Sequence, residues 1–341
     1  MRVIKFILSC FYAFGVWLRN LLFDEHVFYV YHPSIPTICV GNLAVGGTGK
    51  TPHVEYIIRL LLKENYKVAV LSRGYKRLTK GFILAGCNDS AETIGDEPRQ
   101  MQLKFPDIVV AVCEDRTRGV RRICKLHPEV DVIVLDDAFQ HRRIRCGYNV
   151  LLTPIDRLYT SDSFLPLGRL REHPRGALRA DIICVTKCPS DMQPIQRRVT
   201  SNHLKLAAFQ DIVFSFVNYV NGMVQEKGYL LAGIAQPNYL LKDLGDKVKD
   251  YLFFPDHYRY KKKDLELIEK RFSEPLPIYT TEKDYIRLTE SPLLSNSLRD
   301  RLVPLPVEVD FKNDAQLFNS KLLRYVHENI NHKKKKPTTD A

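Results

Sequence analysis

Val40–Pro52 reads VGNLAVGGTGKTP, and this stretch decides the fold. The apolar run IPTICVG ahead of it, Ile35–Gly41, is a strand, and Lys50 to about Glu64 after it is helical. Between the two, Gly46, Gly47 and Gly49 let backbone N–H groups come close to phosphate oxygens, and the helix adds its positive end. Lys50 is placed to reach the β- and γ-phosphates of a nucleotide, and the Thr51 hydroxyl to ligate Mg²⁺. The strict spacing asks for glycine where Ala44 stands. Ala44, Val45, Gly46, Gly47, Thr48, Gly49, Lys50 and Thr51 therefore make a variant phosphate-binding loop. A chance glycine-rich turn is the other reading, and the strand–loop–helix context decides against it.

Outward from the loop, short β-branched runs alternate with helical segments. KVAVLS (Lys67–Ser72), GFILAG (Gly81–Gly86), DIVVAV (Asp107–Val112), DVIVLDD (Asp131–Asp137), YNVLLT (Tyr148–Thr153) and DIICVT (Asp181–Thr186) read as strands. Near-continuous apolar strands between helices predict a parallel sheet covered on both faces, an α/β domain of the P-loop NTPase type. DVIVLDD has the form of a Walker B strand. One of Asp136 and Asp137 is expected to bind Mg²⁺ directly or through water, although an acidic strand end is common without a metal.

The polar stretch KCPSDMQPIQRRVTSNHLK after Thr186 reads as a domain junction near residue 205. IVFSFV, GYLLAGIA, DYLFFP, PIYTT and LVPLPVEV beyond it predict a second, smaller α/β domain over 206–332, after a first domain over 25–205. Residues 333–341 read as a disordered basic tail. Residues 1–24 form a separate hydrophobic helix. Its uninterrupted apolar stretch, Phe6–Leu18, is 13 residues long, short of the roughly 20 that a spanning helix needs. Either it packs on the domain, or it lies in the membrane interface with Trp17 and the tyrosines near the head groups.

The 341 residues carry 51 Lys and Arg against 39 Asp and Glu, a net charge of +12 that favours anionic partners. Nucleic acid is not the expected partner, because the arginines of His141–Arg179 are interrupted by LLTPIDRLYTSDSFLPLG and no DNA- or RNA-binding signature is present. That segment holds eight arginines and no lysine, which suits planar recognition of phosphate or carboxylate. None of the eight cysteines forms a C-x2-C pair, which argues against zinc and for reduced thiols. In TIGDEPRQM, Asp96 and Glu97 stand between Gly95 and Pro98. Asp96 is either a helix cap or a group that orients a substrate hydroxyl. His257, in FFPDHYRY, is by itself more often a structural histidine.

The motifs GNLAVGGTGKTP, LSRGYKR, GDEPRQM, CEDR, LDDAFQHRRI, LLTPIDRLYTSDSFLPLGRLRE, VTK, AGIAQP, PDHYRY and TTEKD, in this order, resemble the tetraacyldisaccharide 4′-kinase family of lipid A synthesis over most of the chain. The family's own loop is a variant, so Ala44 is no objection. The resemblance implies transfer of the γ-phosphate of ATP to the 4′-hydroxyl of a tetraacylated glucosamine disaccharide 1-phosphate. It also implies a need for Mg²⁺ and work at the cytoplasmic face of the bacterial inner membrane. It gives the N-terminal segment a membrane-docking role, Asp96 that of the base and His257 that of its partner from the other domain. Lys50, Arg116 and Arg171 would neutralise charge, some arginines would meet the 1-phosphate, and Tyr75 and His141 are weaker candidates for the cleft wall. A monomer is expected. The alternative is an ATPase acting as a switch or carrier without a lipid acceptor. The loop also resembles that of partition and iron-sulfur carrier ATPases, but Val45 stands where those carry an extra lysine. GTP is disfavoured because Ser190, not aspartate, ends VTKCPS.

Overall fold

The computed structural model describes residues 2–205, 209–219, 224–235 and 237–335. Its strands are β1 Thr37–Asn42, β2 Val68–Ser72, β3 Ile83–Leu84, β4 Val109–Val112, β5 Val132–Asp136, β6 Tyr148–Pro154, β7 Ile182–Cys188, β8 Asp211–Tyr219, β9 Gly228–Ala232, β10 Val248–Phe253, β11 Ile278–Thr281, β12 Leu302–Leu305 and β13 Val307–Asp310. The α-helices are α1 Arg2–Asp24, α2 Lys50–Lys63, α3 Ala91–Ile94, α4 Asp96–Lys104, α5 Arg116–Leu126, α6 Pro194–Lys205, α7 Asn238–Leu244, α8 Lys262–Arg271, α9 Glu282–Thr289, α10 Asn296–Arg299 and α11 Ala315–Lys335.

A nine-stranded sheet runs β13-β8-β7-β6-β1-β5-β2-β4-β3, parallel except at its two edges, where β13 and β3 pair antiparallel. β1 lies between β5 and β6, with Val40 opposite Asp136. The loop after β1 and the acidic end of β5 therefore emerge side by side. The central strands β1, β5 and β2 are buried throughout because apolar clusters cover both faces of the sheet. A second sheet, β10-β9-β11-β12, is all parallel and has its own core around Leu231, Phe272 and Ile278.

The junction expected near 205 is corrected. α6 is a crossover helix that carries the chain from β7 to parallel β8, and its polar residues face water. β8 and β13 belong to the first sheet, so the second domain is an insertion between them and not a C-terminal half. α11 then returns to the first domain, where Phe318, Leu322, Val326 and Ile330 pack beneath β1, β6 and β7. Burying each such side chain contributes about 1.5–3 kcal/mol. α11 also runs through Lys335, into the stretch expected to be a disordered tail; residues 336–341 lie outside the described residues.

α1 is a 23-residue helix, long and apolar enough by length and composition to cross a membrane. One stripe docks on the protein: the Ser9 hydroxyl donates to Phe164 O at 3.0 Å, the Tyr12 hydroxyl to Arg171 O at 3.0 Å, and Arg142 donates to Asn20 O at 2.9 Å. The rest stays bare, with Phe11 72% and Phe14 60% exposed. A helix simply buried on the domain is thereby ruled out.

Candidate active site

The loop is held from inside. Asn42, the last residue of β1, donates to the buried Thr48 hydroxyl at 2.7 Å, and the Thr186 hydroxyl at the end of β7 donates to Thr48 O at 2.9 Å. Gly49 sits at φ +86, a left-handed conformation that lets the chain turn into α2 without a Cβ clash. His53, one turn into α2, donates from Nδ1 to Gly49 O at 2.7 Å and accepts from Ser215 at Nε2 at 2.9 Å. Burial lowers its pKa to about 4, so it braces the loop as a neutral ring.

Asp136 and Asp137 end β5 beside the loop. Lys50 Nζ lies 3.8 Å from Asp137, and Arg171 donates to the same carboxylate at 2.9 Å and to the Asn42 side chain. Burial works against ionisation of Asp137, but Lys50 and Arg171 prevail and lower its pKa to about 2. Asp136 is buried, accepts from Ser72 at 3.2 Å, and has its pKa raised to about 6, first by burial and then by Asp137. Its Oδ1 is buried with no hydrogen-bond partner. An orphaned carboxylate oxygen in the hollow that Thr51 and Asp137 also line offers hard oxygen donors of the kind that fit Mg²⁺.

Across the cleft, α4 begins at Asp96. Gly95 has φ +95, and a Cβ there would come within 3.2 Å of Gly74, so only glycine lets the chain turn so tightly into α4. Asp96 makes no capping bond; its carboxylate reaches the second domain instead. His257 Nδ1 lies 2.7 Å from Asp96 Oδ2, and because a carboxylate only accepts, the proton is on Nδ1. Arg287, from α9, donates through Nε to Oδ1 at 2.9 Å and through Nη2 to Oδ2 at 2.5 Å. Burial alone would raise the Asp96 pKa, yet Arg287 and then His257 hold it well below the usual carboxylate range. Asp96, Glu97 and His257 are close enough to hold a metal. Arg287 already chelates Asp96, and Lys283 pairs with Glu97 at 2.5 Å, so positive charge there comes from the protein.

The loop and β5 groups and His257 line one hollow of about 550 Å³ between the two domains, made by Ala44–Thr51, Asp136, Asp137, Arg171, His257 and others; Asp96 and Arg287 are not on its wall, and Asp96 joins it through its bond to His257. Tyr75 is also on its wall, with its ring edge-on to His257 at 5.3 Å. Two further expected residues stand farther from the hollow. Arg116 is buried behind β5 and spends its guanidinium on the carbonyls of Cys113, Glu114, Asp136 and Asp137 at 3.1–3.3 Å. It braces the acidic turn and does not line the cleft. His141 lines a different hollow of about 1330 Å³ near the end of α1, which contains no loop residue. Its pKa is lowered to about 4, by burial and then by Arg116.

Several residues at the cleft or just behind its wall escaped the sequence reading. Arg287 and Lys283 in TTEKDYIRL are four apart, a spacing that puts two cations on one helical face, and this was the signal available. Lys187, just past the loop-bracing Thr186, also lines the hollow, with its ammonium 5.5 Å from the Tyr239 ring centre. Asp137, Lys187 and His257 all have φ between +48 and +59. Such backbone strain in non-glycine residues gathers at sites that hold groups in place.

A phosphate-binding loop, paired carboxylates beside it and a carboxylate–histidine pair facing them across a cleft define a P-loop kinase. The tetraacyldisaccharide-1-P 4′-kinase (LpxK) family matches residues 1–327, and the chain belongs to that family. It is 46% identical to the tetraacyldisaccharide 4′-kinase of Phocaeicola vulgatus over 94% of each chain, and 42% identical to that of Flavobacterium johnsoniae over 97% of this chain and 98% of that one. Among solved structures, LpxK from Aquifex aeolicus, determined with ATP, superposes with a TM-score of 0.74 at 27% identity, over 95% of this chain and 99% of that one. The chain is thus an ATP-dependent kinase of lipid A biosynthesis, and a switch or carrier ATPase without an acceptor is not favoured.

Proposed function

We propose that this kinase phosphorylates the 4′-hydroxyl of a tetraacylated glucosamine disaccharide 1-phosphate, with Asp96 as base and His257 as its partner. The hydroxyl proton passes to the Asp96 carboxylate, the sugar oxygen bonds to the γ-phosphorus, and the bond from that phosphorus to the ADP oxygen breaks. Positioning and charge neutralisation carry most of such a transfer. Ala44–Thr51 cradle the phosphates, and Lys50 and Arg171, both beside Asp137, offset the charge. Thr51, Asp136 and Asp137 hold Mg²⁺, which when bound neutralises phosphate charge. Arg116 acts at one remove, through the strand end that carries the two aspartates.

The observation that carries this reading is the meeting of both halves of the chemistry in one cleft. The loop and β5 come from the first domain and His257 from the second. A monomer is part of this reading. The bare apolar face of α1 supports docking on a membrane, which in this reading is the cytoplasmic face of the inner membrane. The test is incubation of the detergent-purified protein with Mg-ATP and the tetraacyldisaccharide 1-phosphate, with mass spectrometry for the bisphosphorylated lipid. A product that disappears in Lys50→Ala is expected. ATP hydrolysis that persists without any lipid product would sink the reading.

A further inference from the structure

Arg287, at the contact between the two domains, is held on two sides by carboxylates. Asp284, fully buried, accepts from Gly233 N at 2.8 Å, the Tyr260 hydroxyl at 3.1 Å, the Thr281 hydroxyl at 2.6 Å and Arg287 Nη1 at 3.1 Å. Four donors fill both of its oxygens, so Asp284 fixes the guanidinium without competing for its other edge. That edge, Nε and Nη2, meets Asp96 as a two-point fork.

Lone-pair counting gives this a consequence. Asp96 Oδ2 accepts from Arg287 Nη2 and from His257 Nδ1, whereas Oδ1 accepts only from Arg287 Nε. One acceptor site remains, and it is on Oδ1. We propose that Arg287 is the positioning residue of the base: reaching across from the second domain, it fixes the plane of the Asp96 carboxylate and leaves Oδ1 as the oxygen that receives the hydroxyl proton. This rests on the reading of Asp96 as base.

The domains do not depend on this contact alone. α4 also meets α9 and its cap through Glu97–Lys283 at 2.5 Å, Arg99–Glu290 at 2.6 Å and Lys104–Glu282 at 2.8 Å. Removing the Arg287 fork therefore leaves the helices docked and frees the carboxylate to turn. His257 then remains on Asp96 Oδ2, with Glu97 beside it on the same helix; the charged and titratable groups around these two are Lys283 against Glu97, Asp256 and Tyr75 against His257, and Asp284, the other partner of Arg287. Burial, then opposed by His257 alone and no longer by the guanidinium, shifts Asp96 towards the protonated acid. An acid limb should then enter the accessible pH range from below.

The test measures kcat and KM for ATP with Mg-ATP and the tetraacyldisaccharide 1-phosphate, from about pH 5 to 9, on the full-length wild type, Arg287→Met, Arg287→Lys and Asp96→Asn. Arg287→Met should lose at least about tenfold in kcat at neutral pH while KM for ATP stays within about threefold. Its rate should fall by about tenfold per pH unit on the acid side, where the wild type is level. Arg287→Lys, which keeps the charge but not the fork, should move the acid limb back while recovering only part of kcat. A Met variant with wild-type kcat and a superimposable pH profile overturns the proposal. So does an equal loss at every pH accompanied by a raised KM for ATP and a lowered melting temperature. Near-normal turnover in Asp96→Asn would instead remove the base reading, whatever the Arg287 variants do.

Discussion

Asp136 and Asp137 are neighbours at the end of β5, yet one carboxyl is pushed up to about 6 and the other down to about 2. The difference comes from what each touches. Asp137 turns out at φ +48 and meets Lys50 and Arg171, whereas Asp136 stays inside with one oxygen unpartnered. Such an arrangement costs stability in the empty protein and is useful only with a cation beside it. Asp136→Asn should therefore stabilise the protein free of nucleotide and divalent ions, by about 1–2 kcal/mol, while reducing turnover by at least about a hundredfold. Thermal melts in chelator, alongside the lipid kinase assay, check both halves. A lower melting temperature would mean that the charged Asp136 is a structural group.

The two arginines flanking this pair should behave in opposite ways. Arg116 is 2% exposed and serves four carbonyls, so Arg116→Met leaves buried acceptors without donors. We expect it to lose about 3 kcal/mol or more in chemical denaturation. Arg171 lies at the cleft, its carboxylate partner Asp137 is part-exposed, and the buried Asn42 keeps its bond to Thr48, so Arg171→Ala should melt within a few degrees of wild type but lose at least about tenfold in turnover. Equal melting temperatures for the two variants would contradict this division.

The division also marks where sequence reading stops. Lys50, Thr51 and the β5 carboxylates were legible because strand, loop and helix are local, and their spacing alone puts a lysine at a phosphate. Arg116 and Arg171 were indistinguishable as letters; one faces inward and the other outward only because β5 and the Leu170 segment approach from different sides. The insertion was hidden for a related reason. β8 and β13 are both apolar strands, and nothing local to Ile212 or Val309 says that they pair with each other, since that contact closes a long loop. Arg287 was hidden because its partner, Asp96, is 191 residues away.

α1 supplies a prediction about the surface. Its docked stripe includes Ser9, Tyr12 and Asn20, and the opposite face presents Phe11 and Phe14 to solvent. Phe11→Glu together with Phe14→Glu leaves the docked stripe intact. The protein should stay folded and keep its activity on acceptor dispersed in detergent. Its co-sedimentation with anionic vesicles should fall by about tenfold or more, as two large apolar side chains leave the interface. Unchanged vesicle binding would mean that α1 is not the docking element.

The last prediction concerns the return of the chain to the first domain. Phe318 is fully buried and stacks on Phe311 with ring centres 4.3 Å apart, so Phe318→Ala should cost about 3–5 kcal/mol. Two turns further along α11, the Tyr325 hydroxyl accepts from Thr37 N at the start of β1 at 3.1 Å. Burial pushes its phenol up to about 12, and burial likewise raises that of Tyr148, 5.5 Å away. The folded state thus holds these protons more tightly than the unfolded chain, where a phenol titrates near 10. The stability they contribute is fully present below about pH 10 and is lost as the pH rises from there towards 12. Tyr325→Phe should cost about 1 kcal/mol at neutral pH, through the lost hydrogen bond, and should flatten the alkaline limb of a stability-versus-pH curve. An alkaline limb as steep in the variant as in the wild type would show that α11 does not carry this titration.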